Sequence, residues 1–405
     1  MNAALPFGQT PPVGRSVLTD GFAFDALSRW PYPEAPELQA HDAADVLLLD
    51  TLQSWLDAGH DGGQDGGRGT VVVLEDRHGA LTLPLLAAGH DVRVGQDALA
   101  HERSLEGNLD RWTTPLPGTL HRGPVDAGLV AGAHTVLLVL PRSLDALQQW
   151  AQLIAEHAAQ DVVLLAGGRD KHMTPRQNAV LGRYFESVVP GRGRSKSRAI
   201  TARGPLRGQP APFPRTAAHT LPGVGPVTLA GHGATFGGTA VDPGTRFLLE
   251  NLGEAGDADR AVDVGCGNGT IAVYLATRAR GEGRDLSVVA TDQSADACAS
   301  TALTVTLNGC AEQVEVRRDD ALDSFPDASE DLLVLNPPFH ASNTVDTRVA
   351  VRLFEASARV LRPGGELWCV WNSHLRYRPE LERRVGPTRQ VARDRTFTVT
   401  VSTRR

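Results

Sequence analysis

The run Asn336-Pro337-Pro338-Phe339-His340 sets an amide, two imino acids and an aromatic ring directly behind the apolar stretch Leu332-Leu333-Val334-Leu335. An apolar run of this length cut off by prolines reads as a buried parallel strand that stops abruptly. Pro337 and Pro338 lack an N–H and have fixed φ, so the chain beyond the strand is stiff and its carbonyls are free to accept. Asn336 adds a side-chain carbonyl and Phe339 a flat apolar face. Together they suit a planar group bearing an NH2, with two acceptors for its protons and a ring to stack on. A proline-stopped strand with a capping Asn would look the same over four residues, and the sequence upstream separates the two readings.

Upstream, the strand Ala261-Val262-Asp263-Val264 runs into Gly265-Cys266-Gly267-Asn268-Gly269 and a helix expected from Thr270 to about Arg278. The next strand ends in Asp292, 23 residues after Gly269. Glycines at such a turn let the backbone approach a nucleotide-type ligand closely, and a carboxylate at the second strand's end can accept both hydroxyl protons of a ribose. The spacing lacks the third glycine of a dehydrogenase fingerprint, and Asn-Pro-Pro-Phe is not a dehydrogenase feature. S-adenosyl-L-methionine therefore fits better than a dinucleotide.

These residues need a sheet to hold them, and the chain alternates strands and helices twice. In the first half, strands are expected at 70–74, 91–94, 135–140 and 161–166, with helices at 42–56, 80–88 and 144–159. In the second half, strands are expected at 261–264, 286–290, 314–316 and up to Asn336, then at 366–371 after a turn Arg362-Pro363-Gly364-Gly365, with an antiparallel strand at 397–401. Such alternation indicates doubly wound α/β sheets. The stretch 191–226, rich in Gly, Pro and Arg, reads as a linker and the entry to the second domain. The halves resemble each other: Val72 to Gly79 lies against Asp263 to Gly269, with Gly79 on Gly269, and Leu137-Leu138-Val139-Leu140 against Leu332 to Leu335, which puts Pro141 opposite Asn336. Glu75 and Arg77 stand where the second copy has glycines, and Gln96 where it has Asp292. The first copy is expected to keep the fold and lack the chemistry.

At 405 residues, with 41% hydrophobic and 21% charged side chains, the chain is an ordinary globular composition long enough for two domains. Met1 to Val17 shows neither a basic nor an apolar leader pattern, and no apolar run reaches membrane-spanning length, so a cytoplasmic protein without membrane contact is expected. Cys266, Cys298, Cys310 and Cys369 have no CxxC spacing, so neither a zinc site nor a disulfide framework is expected. The net charge of −7 excludes a uniformly basic nucleic-acid binder. Charge is uneven, however: no acidic residue occurs between Glu186 and Asp242, a stretch that carries Arg192, Arg194, Lys196, Arg198, Arg203, Arg207 and Arg215.

The segment Asp263 to Gly269 together with Asn336 to His340 resembles class I methyltransferases acting on an exocyclic amine. The tandem layout with a degenerate first copy resembles the bacterial ribosomal RNA guanine-N2 methyltransferases, and Asn372-Ser373-His374-Leu375-Arg376-Tyr377 with Leu38 to Asp45 is closer to their large-subunit branch. The resemblance implies two Rossmann-like domains, a degenerate one at 1–204 and a catalytic one at 205–405, with 205–221 as linker. It implies that Gly265, Gly267 and Gly269 line the methionine part, that Asp263 orients the loop or the methionine ammonium, that Asp292 holds the ribose and that Asp320 contacts the adenine amine. Asn336 and the Pro337 carbonyl would bind the target NH2 and Phe339 would stack on the base. It further implies ribosomal RNA as partner, free or in a subunit particle, and a monomer is expected. Adenine-N6 and protein-glutamine methyltransferases also present an NH2 on a planar system, but neither accounts for the first copy. A non-catalytic RNA-binding assembly factor would not need Asn336 and Asp292.

Overall fold

Short runs of Val and Leu, buried on both faces, form the centres of two separate sheets. The computed structural model describes residues 16–59, 69–253, 258–338 and 344–405, with 344–347 as backbone only. Phe339 and His340 lie outside the described residues. The chain divides into two compact units, Met1–Pro212 and Phe213–Arg405.

In the first unit, strands β1 (Val71–Leu74), β2 (Val92–Gly95), β3 (Leu120–Arg122), β4 (Thr135–Val139), β5 (Val163–Arg169), β6 (Phe185–Pro190) and β7 (Ser197–Pro205) take the order β3-β2-β1-β4-β5-β7-β6. In the second unit, a hairpin of β8 (Arg215–Leu221) and β9 (Gly225–Gly231) precedes the second sheet. That sheet contains β10 (Arg260–Val264), β11 (Ser287–Asp292), β12 (Val314–Arg318), β13 (Glu330–Leu335), β14 (Leu361–Asn372), β15 (Thr388–Arg393) and β16 (Phe397–Thr403), in the order β12-β11-β10-β13-β14-β16-β15. The two orders are identical position for position. In each sheet five strands run parallel and the last two join antiparallel. This bears out the tandem doubly wound architecture.

Strand register corrects one expected correspondence. Val264 pairs with Thr291 and Leu335, and Leu74 pairs with Gly95 and Leu138. One residue beyond each partner, Gln96 stands where Asp292 does, as expected, but Val139 rather than Pro141 stands where Asn336 does. Aligning the two Leu-Leu-Val-Leu runs by identity slips the strands by two residues. That slip keeps every side chain on its own face of the pleat, so the apolar pattern alone cannot detect it.

Two further expectations differ. The stretch 191–226 is largely sheet: β7 lies between β5 and β6 and bonds to both, and 215–231 form the hairpin. Buried Ser197, Ala199, Ile200 and Ala202 face the core while Arg198 is exposed. Small and basic residues thus conceal the apolar pattern. The Arg362 to Gly365 turn is a bulge inside β14, where the register shifts between Glu330 and Leu332 and Gly364 has φ of +83°. Among the described residues, no helix is long and apolar enough to cross a membrane, and no group of three His, Cys, Asp or Glu side chains could hold a metal ion.

Candidate active site

A cavity of about 350 Å³ opens over the carboxyl ends of β10, β11 and β13, the place where ligands bind in doubly wound sheets. Its wall includes Gly265, Gly267, Asp292, Asp320, Asn336 and Pro337, so six of the residues singled out in the sequence come together.

The glycine turn follows from strand register. The N–H groups of Gly265 and Cys266 both donate to the Thr291 carbonyl at 2.8 Å, which bends the chain sharply away from β10. Gly265 and Gly267 have φ of +76° and +55°, and a Cβ on either would meet nothing within 4 Å. Both therefore need glycine for backbone conformation, and both leave open space beside the cavity. Gly269 does different work. It also has positive φ, but its Cβ would press on Thr301 at 3.0 Å, so it lets helix 270–281 pack against helix 295–307 and does not line the cavity.

Asp263 likewise does not line the cavity. It is fully buried, and its Oδ2 accepts the Ala272 N–H at 3.0 Å, securing the first turn of helix 270–281. Its Oδ1 has no partner among the described residues. Burial pushes its carboxyl up to about 7, partly offset by the Ala272 bond and reinforced by the nearby Asp292 charge. Asp292 Oδ1 accepts from Ser294 N–H at 2.9 Å and Oδ2 from Gly267 N–H at 3.1 Å. Burial raises its carboxyl, and backbone N–H groups of Ser294, Gly267 and Gln293 oppose the rise. Asp320 also lines the cavity, and both its oxygens accept from the Arg352 guanidinium, at 3.1 and 3.0 Å.

Asn336 stands one residue past β13. Its Nδ2 donates to Asp242 Oδ1 and to Thr245 Oγ1, each at 2.9 Å, while its buried Oδ1 has no partner among the described residues. A buried acceptor left without a partner costs about 1–3 kcal/mol, so such an atom beside a cavity marks a place where a ligand donates.

The chain's similarity to known proteins matches this layout. Residues 16–205 match the RLMG N-terminal domain family and residues 226–401 the methyltransferase small domain family. A ribosomal RNA large subunit methyltransferase G from Streptomyces coelicolor is 35% identical, over 92% of this chain and 96% of that protein. The chain belongs to the ribosomal RNA large subunit methyltransferase G family. A Stutzerimonas stutzeri member is 31% identical over 95% of this chain and 98% of its own length. The fold also matches that of a T. thermophilus 16S rRNA N2 methyltransferase solved with AdoMet and guanosine, with a TM-score of 0.71 at 21% identity, over 85% of this chain and 91% of that one.

Within this family member, three contacts of the site were not read from the sequence. Asp242 caps helix 243–251 and Thr245 lies in its first turn; an Asp before Pro is a legible N-cap, but nothing local announces their contact with Asn336. Asn268, between the glycines, donates to the carbonyls of Gly238 and Ala240 at 2.9 and 2.8 Å and so ties segment 236–241 to the glycine turn. That segment brings Phe236, 63% exposed, to the cavity wall.

In the first copy the same turn persists without the glycines that match Gly265 and Gly267. Glu75 keeps the left-handed backbone of Gly265, with φ of 65°, and its carboxylate accepts the Asp97 N–H at 2.6 Å. Gln96 donates to the Asp76 carbonyl. Asp76 takes over the helix-capping role of Asp263, accepting from Gly79, Leu81 and Thr82 N–H groups at 3.0, 3.0 and 2.8 Å.

Proposed function

We propose that this chain transfers a methyl group from S-adenosyl-L-methionine to the exocyclic N2 amine of a guanine in ribosomal RNA. The observation that carries the reading is Asn336, in the wall of the cavity that also holds the glycine turn and Asp292: its NH2 end is tied back while its buried carbonyl has no partner among the described residues. The names of its relatives support the substrate class, and the open cradle above Gly265 and Gly267 fits the cofactor's methionine part.

When bound, S-adenosyl-L-methionine supplies an electrophilic methyl on a sulfonium. Asp292 accepts the ribose hydroxyls on the lone pairs not taken by Ser294 and Gly267. Asp320, steadied by Arg352, faces the adenine amine. An aromatic amine is a poor nucleophile because its lone pair is delocalised into the ring. Asn336 Oδ1 and the Pro337 carbonyl draw its two protons to one side, give the nitrogen tetrahedral character and aim its lone pair along the transfer line. Phe339 stacks on the base. The residues contribute alignment and electrostatics, and the surplus proton stays on the methylated nitrogen, hydrogen-bonded to these carbonyls, until it passes to water. A paired base cannot reach such a site, so the guanine is unpaired or flipped. The first unit, with exposed Arg192 and Lys196, docks the RNA.

The test is incubation of the purified chain with labelled S-adenosyl-L-methionine and separated ribosomal RNAs, followed by nucleoside analysis. N2-methylguanosine in large-subunit RNA is expected. N6-methyladenosine, or label in neither RNA, would overturn the reading.

A further inference from the structure

We infer that Asp242 and Thr245 are positioning residues that select which end of the Asn336 carboxamide receives the substrate. The inference rests on the reading of Asn336 as acceptor for the target amine. A carboxamide has nearly the same shape either way round, so packing does not distinguish its oxygen from its nitrogen; the hydrogen-bond partners do. Asp242 Oδ1, as a carboxylate oxygen, can only accept, and it lies 2.9 Å from one end of the amide. Thr245 Oγ1 lies 2.9 Å from the same end. That end must be the NH2, and both its protons are spent on these two atoms. The carbonyl is left as the end that can take a substrate proton.

The selection is built into the fold. The same Asp242 Oδ1 caps helix 243–251 by accepting the Thr245 N–H at 3.0 Å, and Pro243 fixes the first helical φ. The carboxylate is therefore held by the helix before it meets Asn336. With the amide reversed, its carbonyl would face a carboxylate and its NH2 would face the incoming NH2, donor against donor. A partner 94 residues away in the chain thus decides the chemical sense of the acceptor.

Three variants and one control test this. Thr245→Val keeps the shape and removes one of the two acceptors. It should lower kcat about tenfold, the scale of one ordinary hydrogen bond, with cofactor affinity, RNA KM and melting temperature little changed. Asn336→Asp sets two carboxylates against each other and should lower kcat about 100-fold. Adding Asp242→Asn to Asn336→Asp removes one of the two facing charges: the introduced amide at 242 keeps its oxygen on the Thr245 N–H, and the introduced carboxylate at 336 no longer meets a like charge. This double variant should recover at least tenfold over Asn336→Asp alone. A merely structural role for Asp242 gives additive or worse loss, which would overturn the inference. If Thr245→Val does not fold, recovery in the double variant decides alone. Asn336→Ala is the control: full activity there refutes the reading of Asn336 itself. An inactive Asn336→Ala beside wild-type kcat in Thr245→Val and no recovery in the double variant refutes only the positioning role.

Discussion

Asp292 Oδ2 accepts the Gly267 N–H at 3.1 Å, so the carboxylate at the end of β11 braces the turn that follows β10. One side chain thereby shapes the glycine turn and, under the function proposed above, keeps lone pairs for a diol. Asp292→Ala removes both functions and should weaken cofactor binding about 100-fold, the scale of losing two hydrogen bonds to a charged group. Asp292→Asn, which keeps one acceptor, should fall between the two. Calorimetric titration measures this, and an unchanged Kd in Asp292→Ala would remove Asp292 from the site.

Gly265→Glu should fold and fail to bind cofactor. The first copy already carries Glu75 at the matching place with φ of 65°, against +76° for Gly265, so the turn tolerates the side chain at a strain cost of about 1–2 kcal/mol. In the second copy that side chain would enter the cradle. The expected pair of results is a native circular dichroism spectrum with a flat titration. The same comparison predicts one cofactor site per wild-type chain, and two sites of similar affinity would contradict it.

Asp263 makes stability depend on pH. Burial lifts its carboxyl in the folded chain to about 7, from 3.8, so between those values the folded state holds a proton that the unfolded state has lost. Stability therefore falls as pH rises from about 4 to about 7, and the full penalty is present above that window. Asp263→Asn keeps an acceptor for the Ala272 N–H and carries no charge. Its melting temperature, relative to wild type, should rise from pH 5 to pH 8. A constant difference across that range would show that the carboxyl titrates normally.

The basic stretch of the first unit separates into two kinds of side chain. Arg194 pairs with Asp50, which is fully buried and also accepts from Ser16 Oγ at 2.6 Å and Thr19 Oγ1 at 2.5 Å. Arg194→Ala should destabilise the chain by about 3–5 kcal/mol, because it strands a buried charge. Arg192 and Lys196 are exposed. Replacing both by Ala should leave the melting temperature unchanged, weaken RNA binding and flatten its salt dependence by about two phosphate contacts. Filter binding across a salt series measures this. Unchanged slope and affinity would assign the RNA contact elsewhere.

The sequence by itself determined the features that depend on local chemistry. Apolar runs bounded by turn residues specify buried strands. Gly265 and Gly267 are legible because only glycine takes their backbone conformation without strain. Pro337 and Pro338 are legible because they must end β13, and Glu75 and Gln96 already mark the first copy as stripped of its chemistry. Tertiary structure decided what depends on residues far apart in the chain. Strand register, set by how the whole sheet buries itself, placed Val139 and not Pro141 opposite Asn336. It put β7 inside the first sheet although its small and basic residues show little apolar period. It gave Asp263 and Gly269 to helix packing, and it brought Arg352 to Asp320 and Asp242 to Asn336. Each of these depends on neighbours that only the packed chain brings together, and the last two are polar pairs across 32 and 94 residues. A buried donor or acceptor must find its partner wherever the packed chain has put one, and no local pattern records that position.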